Sequence, residues 1–151
     1  MSTASKLREA LDAYESREQQ KADAVRKKVE DISGEIDWLT TAVEGWFRLI
    51  DGVQVKQEPI KLTATIDGLA VELAAKKTLL LFAGKTLQLT PEISAKHTAN
   101  FTLKGLEDDY EVRRLGAAPF QVFEIGFQSE AYANFSEGWL YSAMIAEIPQ
   151  R

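Results

Sequence analysis

Few residues in this chain have the type and spacing that chemistry requires. The single histidine, His97, lies in the segment SAKHTAN, and the chain contains no cysteine. Thiolate catalysis and cysteine zinc sites are therefore excluded, and a histidine site would need partners that no neighbouring motif supplies. No serine lies in a G-x-S-x-G setting. We predict no catalytic residue, although acid–base chemistry by some pair of the 23 acidic residues is left open.

Two further segments resemble ligand sites only superficially. The acidic cluster formed by Glu107, Asp108, Asp109 and Glu111 lacks the ligand spacing of an EF-hand, and a solvated turn explains it better. The segment FAGKT (82–86) lacks the first glycine of a phosphate-binding loop, because position 79 is leucine. It suits a hairpin turn instead. We therefore expect neither a metal ion nor a cofactor.

Composition and charge indicate one domain and give no sign of a nucleic-acid or membrane partner. The chain has 151 residues, enough for one sizeable core, and a formal net charge of −5. Neither the segment before Asp51 nor the segment after it is basic, so we expect no nucleic-acid partner. No apolar run approaches the roughly 20 residues that cross a bilayer, and no secretory signal is visible, so we expect no membrane partner. The absence of cysteine fits a reducing compartment, and we expect a cytoplasmic protein.

The region from about Thr3 to Asp51 has the apolar period of a helix and contains no proline. Leu7, Leu11 and Tyr14 form a short stripe. After a polar stretch, ESREQQKADAVRKK (15–28), an unbroken heptad seam typical of a coiled coil runs from Val29 to Ile50. In heptad register, the step from Val25 to Val29 resets the pattern, so the two halves are predicted not to share one apolar face.

The length of this helix predicts a projecting arm. About 48 helical residues would measure about 70 Å, whereas a domain of this size is about 40 Å across. The alternative is a break at Ser33-Gly34, but the seam runs through it, and we favour one continuous helix. We predict a projecting helical arm at residues 1–28 and a single α+β domain at residues 29–151. Trp38 and Trp46 widen the apolar arc near the helix end, which suits packing on a sheet.

After Asp51 the period changes to two. A turn at Asp67-Gly68 would place Ile66 opposite Leu69, and the following pairs would be Ala64 with Val71 and Leu62 with Leu73. A second hairpin, with its turn around Gly84-Lys85, would place Phe82 opposite Leu87 and Leu80 opposite Leu89. Pro59 suits a bulge or an edge between strands.

Five further strands are predicted around 53–58, 100–104, 110–115, 120–128 and 139–148, with loops at 115–120 and 129–138. The last strand, WLYSAMIAEI, has large apolar residues on both faces and is expected to be central. The predicted fold class is α+β: a long N-terminal α-helix followed by an antiparallel, strongly curved sheet of about seven to nine strands.

These features favour a binding protein over an enzyme. We expect a non-catalytic interaction module (an adaptor, an inhibitor or immunity-type protein, or a structural subunit) that uses Leu7, Leu11 and Tyr14 for self-association or partner binding. The alternative is an apolar-ligand binder or an enzyme with a cavity on the curved sheet, lined by the aromatic residues Trp38, Trp46, Phe47, Phe120, Phe123, Phe127, Trp139 and Tyr141. The same rings suit a simple core better. A third reading makes the arm a frayed terminus without a role.

Overall fold

The computed structural model describes residues 2–114, 119–125 and 133–149, and within them it confirms the α+β class. The strands follow one another in an antiparallel meander whose outer members are β1 and β7, so the described sheet is not closed. The elements in chain order are α1 (Thr3–Phe47), β1 (Val53–Ile66), β2 (Leu69–Phe82), β3 (Lys85–Ile93), β4 (Ala99–Lys104), β5 (Tyr110–Arg113), β6 (Gln121–Glu124), β7 (Ala133–Asn134) and α2 (Glu137–Glu147).

Helix α1 is continuous over 45 residues, which corresponds to about 67 Å. It begins at the N-cap Ser2, whose Oγ accepts a hydrogen bond from the backbone N–H of Ser5 at 3.2 Å. Gly34 does not interrupt it. Ile32 and Ile36, on either side, are both buried in the core, and their packing offsets the cost of about 1 kcal/mol that a glycine brings to a helix interior.

The heptad seam packs on the chain's own sheet. Ile36, Leu39 and Val43 are among the most deeply buried residues of the core, together with strand residues such as Leu80 and Phe101. The predicted apolar arc is narrower than expected, because Trp38 is 64% exposed. It lies on the rim of the helix face and stacks on Phe120, with ring centroids 6.2 Å apart.

The first hairpin has the predicted register. Ile66 pairs with Leu69, and the two following pairs are also as predicted. Asp67 and Gly68 both have positive φ, 51° and 81°, as a two-residue type I′ turn requires. Pro59 does not separate two strands, because β1 runs through it without a break. Its missing N–H is tolerated because β1 is an edge strand.

Half of this hairpin extends beyond the rest of the sheet. Only residues 78–82 of β2 pair with β3, so residues 58–66 and 69–77 form a two-stranded ribbon. Nine residues of strand correspond to about 30 Å. A two-stranded hairpin is marginally stable alone, and here α1 covers its apolar face.

The second hairpin has a different register from the one predicted. Leu80 pairs with Leu87 and Phe82 with Lys85, because the two turn residues are Ala83 and Gly84. Both have positive φ, 48° and 74°. Gly84 therefore takes the second turn position, and placing the turn one residue later shifted every predicted pair by two. The predicted strand at Asn100–Lys104 is confirmed as β4. Strand β5 ends at Arg113 and strand β6 at Glu124, and the predicted strand ends at residue 115 and at residues 126–128 lie outside the described residues.

The segment predicted as the last strand is a helix, and that prediction was wrong. Helix α2 is capped by Ser136, whose Oγ accepts a hydrogen bond from the backbone N–H of Trp139 at 3.2 Å. Leu140 and Met144 are buried at helical spacing, while Trp139 is half-buried. The loop predicted at 129–138 is in part β7 and the start of α2, and its residues 129–132, like residues 115–118 of the other predicted loop, lie outside the described residues.

Candidate functional site

The N-terminal part of α1 is exposed to solvent without interruption. Every residue from 2 to 21 is exposed, including three large apolar side chains. Leu7, Leu11 and Tyr14 keep 60%, 51% and 55% of their surface exposed. Large apolar side chains at a spacing of four and three residues form a stripe on one helical face, which is the pattern of helix-in-groove recognition. We call residues 2–21 the arm; the interface role of its stripe remains a prediction.

The apolar spacing of Leu7, Leu11 and Tyr14 repeats, five helical turns earlier, that of the stripe by which α1 packs into the core. Leu7, Leu11 and Tyr14 each lie 18 residues before Val25, Val29 and Ile32. Eighteen residues complete five turns at 3.6 residues per turn, so both stripes lie on the same side of a continuous helix. The register reset predicted from the sequence reflects the heptad period of 3.5, which drifts from that of a straight helix, and it does not put the two stripes on different sides.

The helix leaves the hairpin near Lys21. Val25 is only 3% exposed, although it falls inside the segment 1–28 assigned to the arm from the sequence. Lys28 Nζ lies 3.1 Å from a carboxylate oxygen of Asp67 in the hairpin turn. Lys21 Nζ lies 3.8 Å from the position that a Cβ would take on Gly68. One helical turn on each side of Val25 thus contacts the hairpin turn, and the arm extends beyond it.

The predicted aromatic residues contact one another. Trp46 and Trp139 both pack on Phe135, with centroid distances of 5.7 and 6.0 Å, and Tyr110 meets Trp139 edge-on at 5.4 Å. Phe47 meets Tyr141 edge-on at 5.2 Å. The buried Phe123 lies under the guanidinium of Arg113, 3.8 Å from its ring centroid, and Phe127 lies outside the described residues. These contacts are those of a packed aromatic core.

An apolar groove opens at the end of this cluster. It has a volume of about 450 Å³ and lies between the end of α1, the turn between β2 and β3, and α2. Its rim carries the exposed side chains of Ile50, Ile145 and Ile148, and its wall includes Phe82 and Met144. This groove was not predicted from the sequence. Tyr141, Ile145 and Ile148 have the spacing of one helical face, which could have indicated it, but their segment was assigned to a strand.

The hydroxyl of Tyr141, on the groove wall, donates a hydrogen bond to the backbone carbonyl of Trp46. Burial raises the pKa of Tyr141 above its ordinary value of 10.0, and the nearby carboxylate of Glu137 raises it further. The phenol therefore stays protonated at neutral pH and acts as a donor. This bond joins α2 to the end of α1 and shapes the groove.

A more polar cleft lies on the other side of α1. Glu30, Glu35 and Arg114 line it beside Trp38, and its volume is about 630 Å³. Arg114 Nη1 is 3.7 Å from a carboxylate oxygen of Glu35, so these charges pair within the cleft. Exposed ion pairs of this kind contribute roughly 0–1 kcal/mol.

The remaining candidates lie in turns, apart from Glu111 of the acidic cluster, which lies in β5. His97 has a positive φ of 60°, and its backbone N–H donates to the carbonyl of Ser94 at 2.9 Å, which makes it a turn residue. The acidic cluster follows β4, and the backbone N–H of Glu107 donates to a carboxylate oxygen of Glu147 at 2.7 Å. Across the described ranges, no group of three or more histidine, aspartate or glutamate side chains is placed to hold a metal ion.

Comparison with known proteins identified no relative of this chain. No family model, no curated protein and no solved structure matches the chain. Among the described residues, no helix is both long enough and apolar enough to span a membrane.

Proposed function

We propose that the chain is a non-catalytic protein-interaction module, such as an adaptor, an inhibitor or immunity-type protein, or a structural subunit. Its N-terminal helix would bind a second copy or another protein. The observation that carries this proposal is the exposed stripe of Leu7, Leu11 and Tyr14 on a helix that continues about 28 Å past its last contact with the hairpin. The net charge of −5 favours a protein over a nucleic acid as partner, and the absence of cysteine supports a cytoplasmic location.

A binding partner would stabilise the arm as a helix. The arm extends a helix that is already nucleated by its packed half, but an unpacked extension gains little free energy of its own, because most helical stability in proteins comes from packing. Full burial of a leucine side chain gives about 1.5–3 kcal/mol. The three stripe residues are already about half covered by their own helix. Covering the rest would give about 1 kcal/mol each, enough to hold the arm helical in a complex.

The test uses full-length variants and light scattering behind a sizing column. The arm variant combines Leu7→Ser, Leu11→Ser and Tyr14→Ser. Its control combines Glu9→Ser, Ala13→Ser and Gln20→Ser, which place three serines on the opposite face of the same helix. We expect the unmodified chain and the control to self-associate and the arm variant to be monomeric, with unchanged melting of the domain.

Hydrogen exchange supplies the second readout. Arm amides should gain protection with rising protein concentration in the unmodified chain and not in the arm variant. For a foreign partner, a photo-crosslinker at position 11 should give one discrete product that the Leu7→Ser and Tyr14→Ser changes abolish. Identical behaviour of the arm variant and the control in all these measurements would contradict the proposal.

A second candidate function is the binding of a small apolar ligand, and the groove beside α2 is the observation that favours it. A volume of about 450 Å³ is within the range of small-molecule sites. The test is the fluorescence of an environment-sensitive apolar dye on the folded protein. The change Ile145→Gln, on the groove rim, should weaken dye binding several-fold, whereas Ile125→Gln, a similarly exposed isoleucine elsewhere, should not. Equal dye binding by both variants would exclude the groove as the site.

A further inference from the structure

We infer that the occupant of the arm is a second copy of this chain: the arm of each copy lies along the edge strand β1 of the other, in a reciprocal two-fold dimer. The inference rests on the proposed binding function of the arm and specifies its partner and its surface. The contacts would place Leu7 over Ile60, Leu11 over Leu62 and Tyr14 over Ala64.

The first argument is the repeated stripe. Val25 and Ile32 are buried, and Val29 is half-buried, in the core that α1 shares with the hairpin, and the arm carries apolar residues at the same spacing on the same helical side. A surface that fits the second stripe therefore has the chemistry to fit the first. The arm cannot reach its own hairpin, because it is continuous with the segment already packed there. An identical hairpin is available only on another copy.

The second argument is length. The arm projects about 28 Å beyond the hairpin turn, and the two-stranded ribbon is about 30 Å long. The rises over the two rows are similar: the seven residues from Leu7 to Tyr14 rise about 10.5 Å along the helix, and the four residues from Ile60 to Ala64 rise about 13 Å along the strand. An arm that runs antiparallel to the partner's α1, with its Lys21 near the partner's hairpin turn, would therefore bring Tyr14, Leu11 and Leu7 in turn close to Ala64, Leu62 and Ile60. The largest of the three arm side chains meets the smallest strand residue.

The third argument is the uneven burial of the ribbon. Leu73 and Ala75 on β2 are buried, but their direct partners on β1, Leu62 and Ile60, are only half-buried. Helix α1 thus covers β2 more completely than β1. In the described sheet β1 has no neighbouring strand on its other side, which leaves room for a second helix beside α1. The residual apolar surface of Ile60, Leu62 and Ala64 is the row that the partner's arm would cover.

The buried area is sufficient for a dimer. A helix about 10 Å wide that contacts a surface over about 30 Å covers about 300 Å² on each side. Two arms and two strand rows would together bury about 1,200 Å², which reaches the size of a specific protein interface. Reciprocal contacts close the assembly at two copies, because both surfaces of each chain are then occupied.

The test is disulfide trapping in the cysteine-free chain. One full-length variant carries Leu11→Cys, and a second, with a distinguishable mass, carries Leu62→Cys. The control partner carries Thr63→Cys, which is exposed and faces the opposite side because successive strand residues alternate. We expect mild oxidation of Leu11→Cys with Leu62→Cys to give at least tenfold more crosslinked dimer than Leu11→Cys with Thr63→Cys. Thermal melting checks the fold of each variant, and Tyr14→Cys with Ala64→Cys, against Thr65→Cys, is the second set.

The possible outcomes separate this inference from the proposed function. Self-crosslinking of Leu11→Cys as the main product would mean that the arms pair with each other, which overturns the inference and leaves the binding role of the arm. A monomeric unmodified chain at all concentrations would overturn the second copy as partner and leave only a foreign one. A dimer insensitive to the arm serine variant, with no crosslink at either β1 position, would overturn both.

Discussion

The joint between α1 and the hairpin turn provides the most informative stability prediction, because it determines where the arm projects. Val25 is 3% exposed and lies between Lys21 and Lys28, the two residues whose side chains reach the hairpin turn. The change Val25→Ala removes two methyl groups, worth about 0.8 kcal/mol each, and leaves a small cavity in the core. We expect the free energy of unfolding to fall by about 2–3 kcal/mol.

Two measurements report this change. Thermal unfolding should show a midpoint lower by about 5–10 °C for a chain of this length. Hydrogen exchange should show where the loss falls: amides at 60–66 and 69–75 should lose protection more than those of β3 and β4. The reason is that a two-stranded ribbon is marginal without its helix, whereas the central strands have neighbours on both sides.

The matched control is Lys27→Ala, two residues further along and on the exposed face of the helix. It should change the free energy of unfolding by less than about 0.5 kcal/mol. If Val25→Ala behaves like this control, or if its extra exchange is spread evenly over the sheet, the hairpin turn is not held by this part of α1. The arm position inferred from that joint would then be wrong.

Four further substitutions test the turn after β4, the glycine within α1, helix α2 and the exposed tryptophan. Gly105→Ala should lower the free energy of unfolding by about 3 kcal/mol or more, because φ of Gly105 is 112° and the added Cβ would lie 2.3 Å from a backbone carbonyl oxygen of β3. Gly34→Ala should raise the free energy of unfolding by about 0.5–1 kcal/mol, because nothing lies within 4 Å of the added Cβ. Chemical unfolding measures both changes. Burial and Glu137 raise the pKa of Tyr141, so its contribution to stability should be complete below pH 10 and should be lost as the pH rises through the higher pKa of the folded state. Tyr141→Phe should remove this loss of stability at alkaline pH. The check is the free energy of unfolding measured as a function of pH. Trp38→Ala should cost about 1 kcal/mol in chemical unfolding, against about 3–5 kcal/mol for a buried aromatic residue, and a larger loss would show that the side chain is not exposed.

Local sequence signals predicted the elements whose conformation depends on their own residues. The Asp67-Gly68 turn fixes the first hairpin because both turn positions need positive φ and the flanking apolar residues alternate. The continuity of α1 through Gly34 followed from an apolar period with no proline. The exposure of Leu7, Leu11 and Tyr14 could be anticipated from the polar stretch that follows them.

Other features depended on what each segment packs against. Residues 139–148 carry large apolar side chains at both strand and helix spacings, and a Ser136 cap together with the aromatic cluster selects the helix. The heptad register did not show on which side of the helix the arm stripe lies, because its period of 3.5 drifts from that of a straight helix. The exposure of Trp38 and the groove around Met144 arise from the relative positions of α1, α2 and the sheet.

The sequence by itself thus determined the long helix, the antiparallel hairpins and the candidate stripe, because periodicity and turn residues act over a few positions. Tertiary structure decided which of its two possible periods the segment 139–148 follows, and it decided the exposure of Trp38 and the half-covered row on β1. These depend on contacts between segments far apart in the chain. Such contacts can override the conformational preference of a short apolar run, and they alone determine which apolar surfaces remain uncovered.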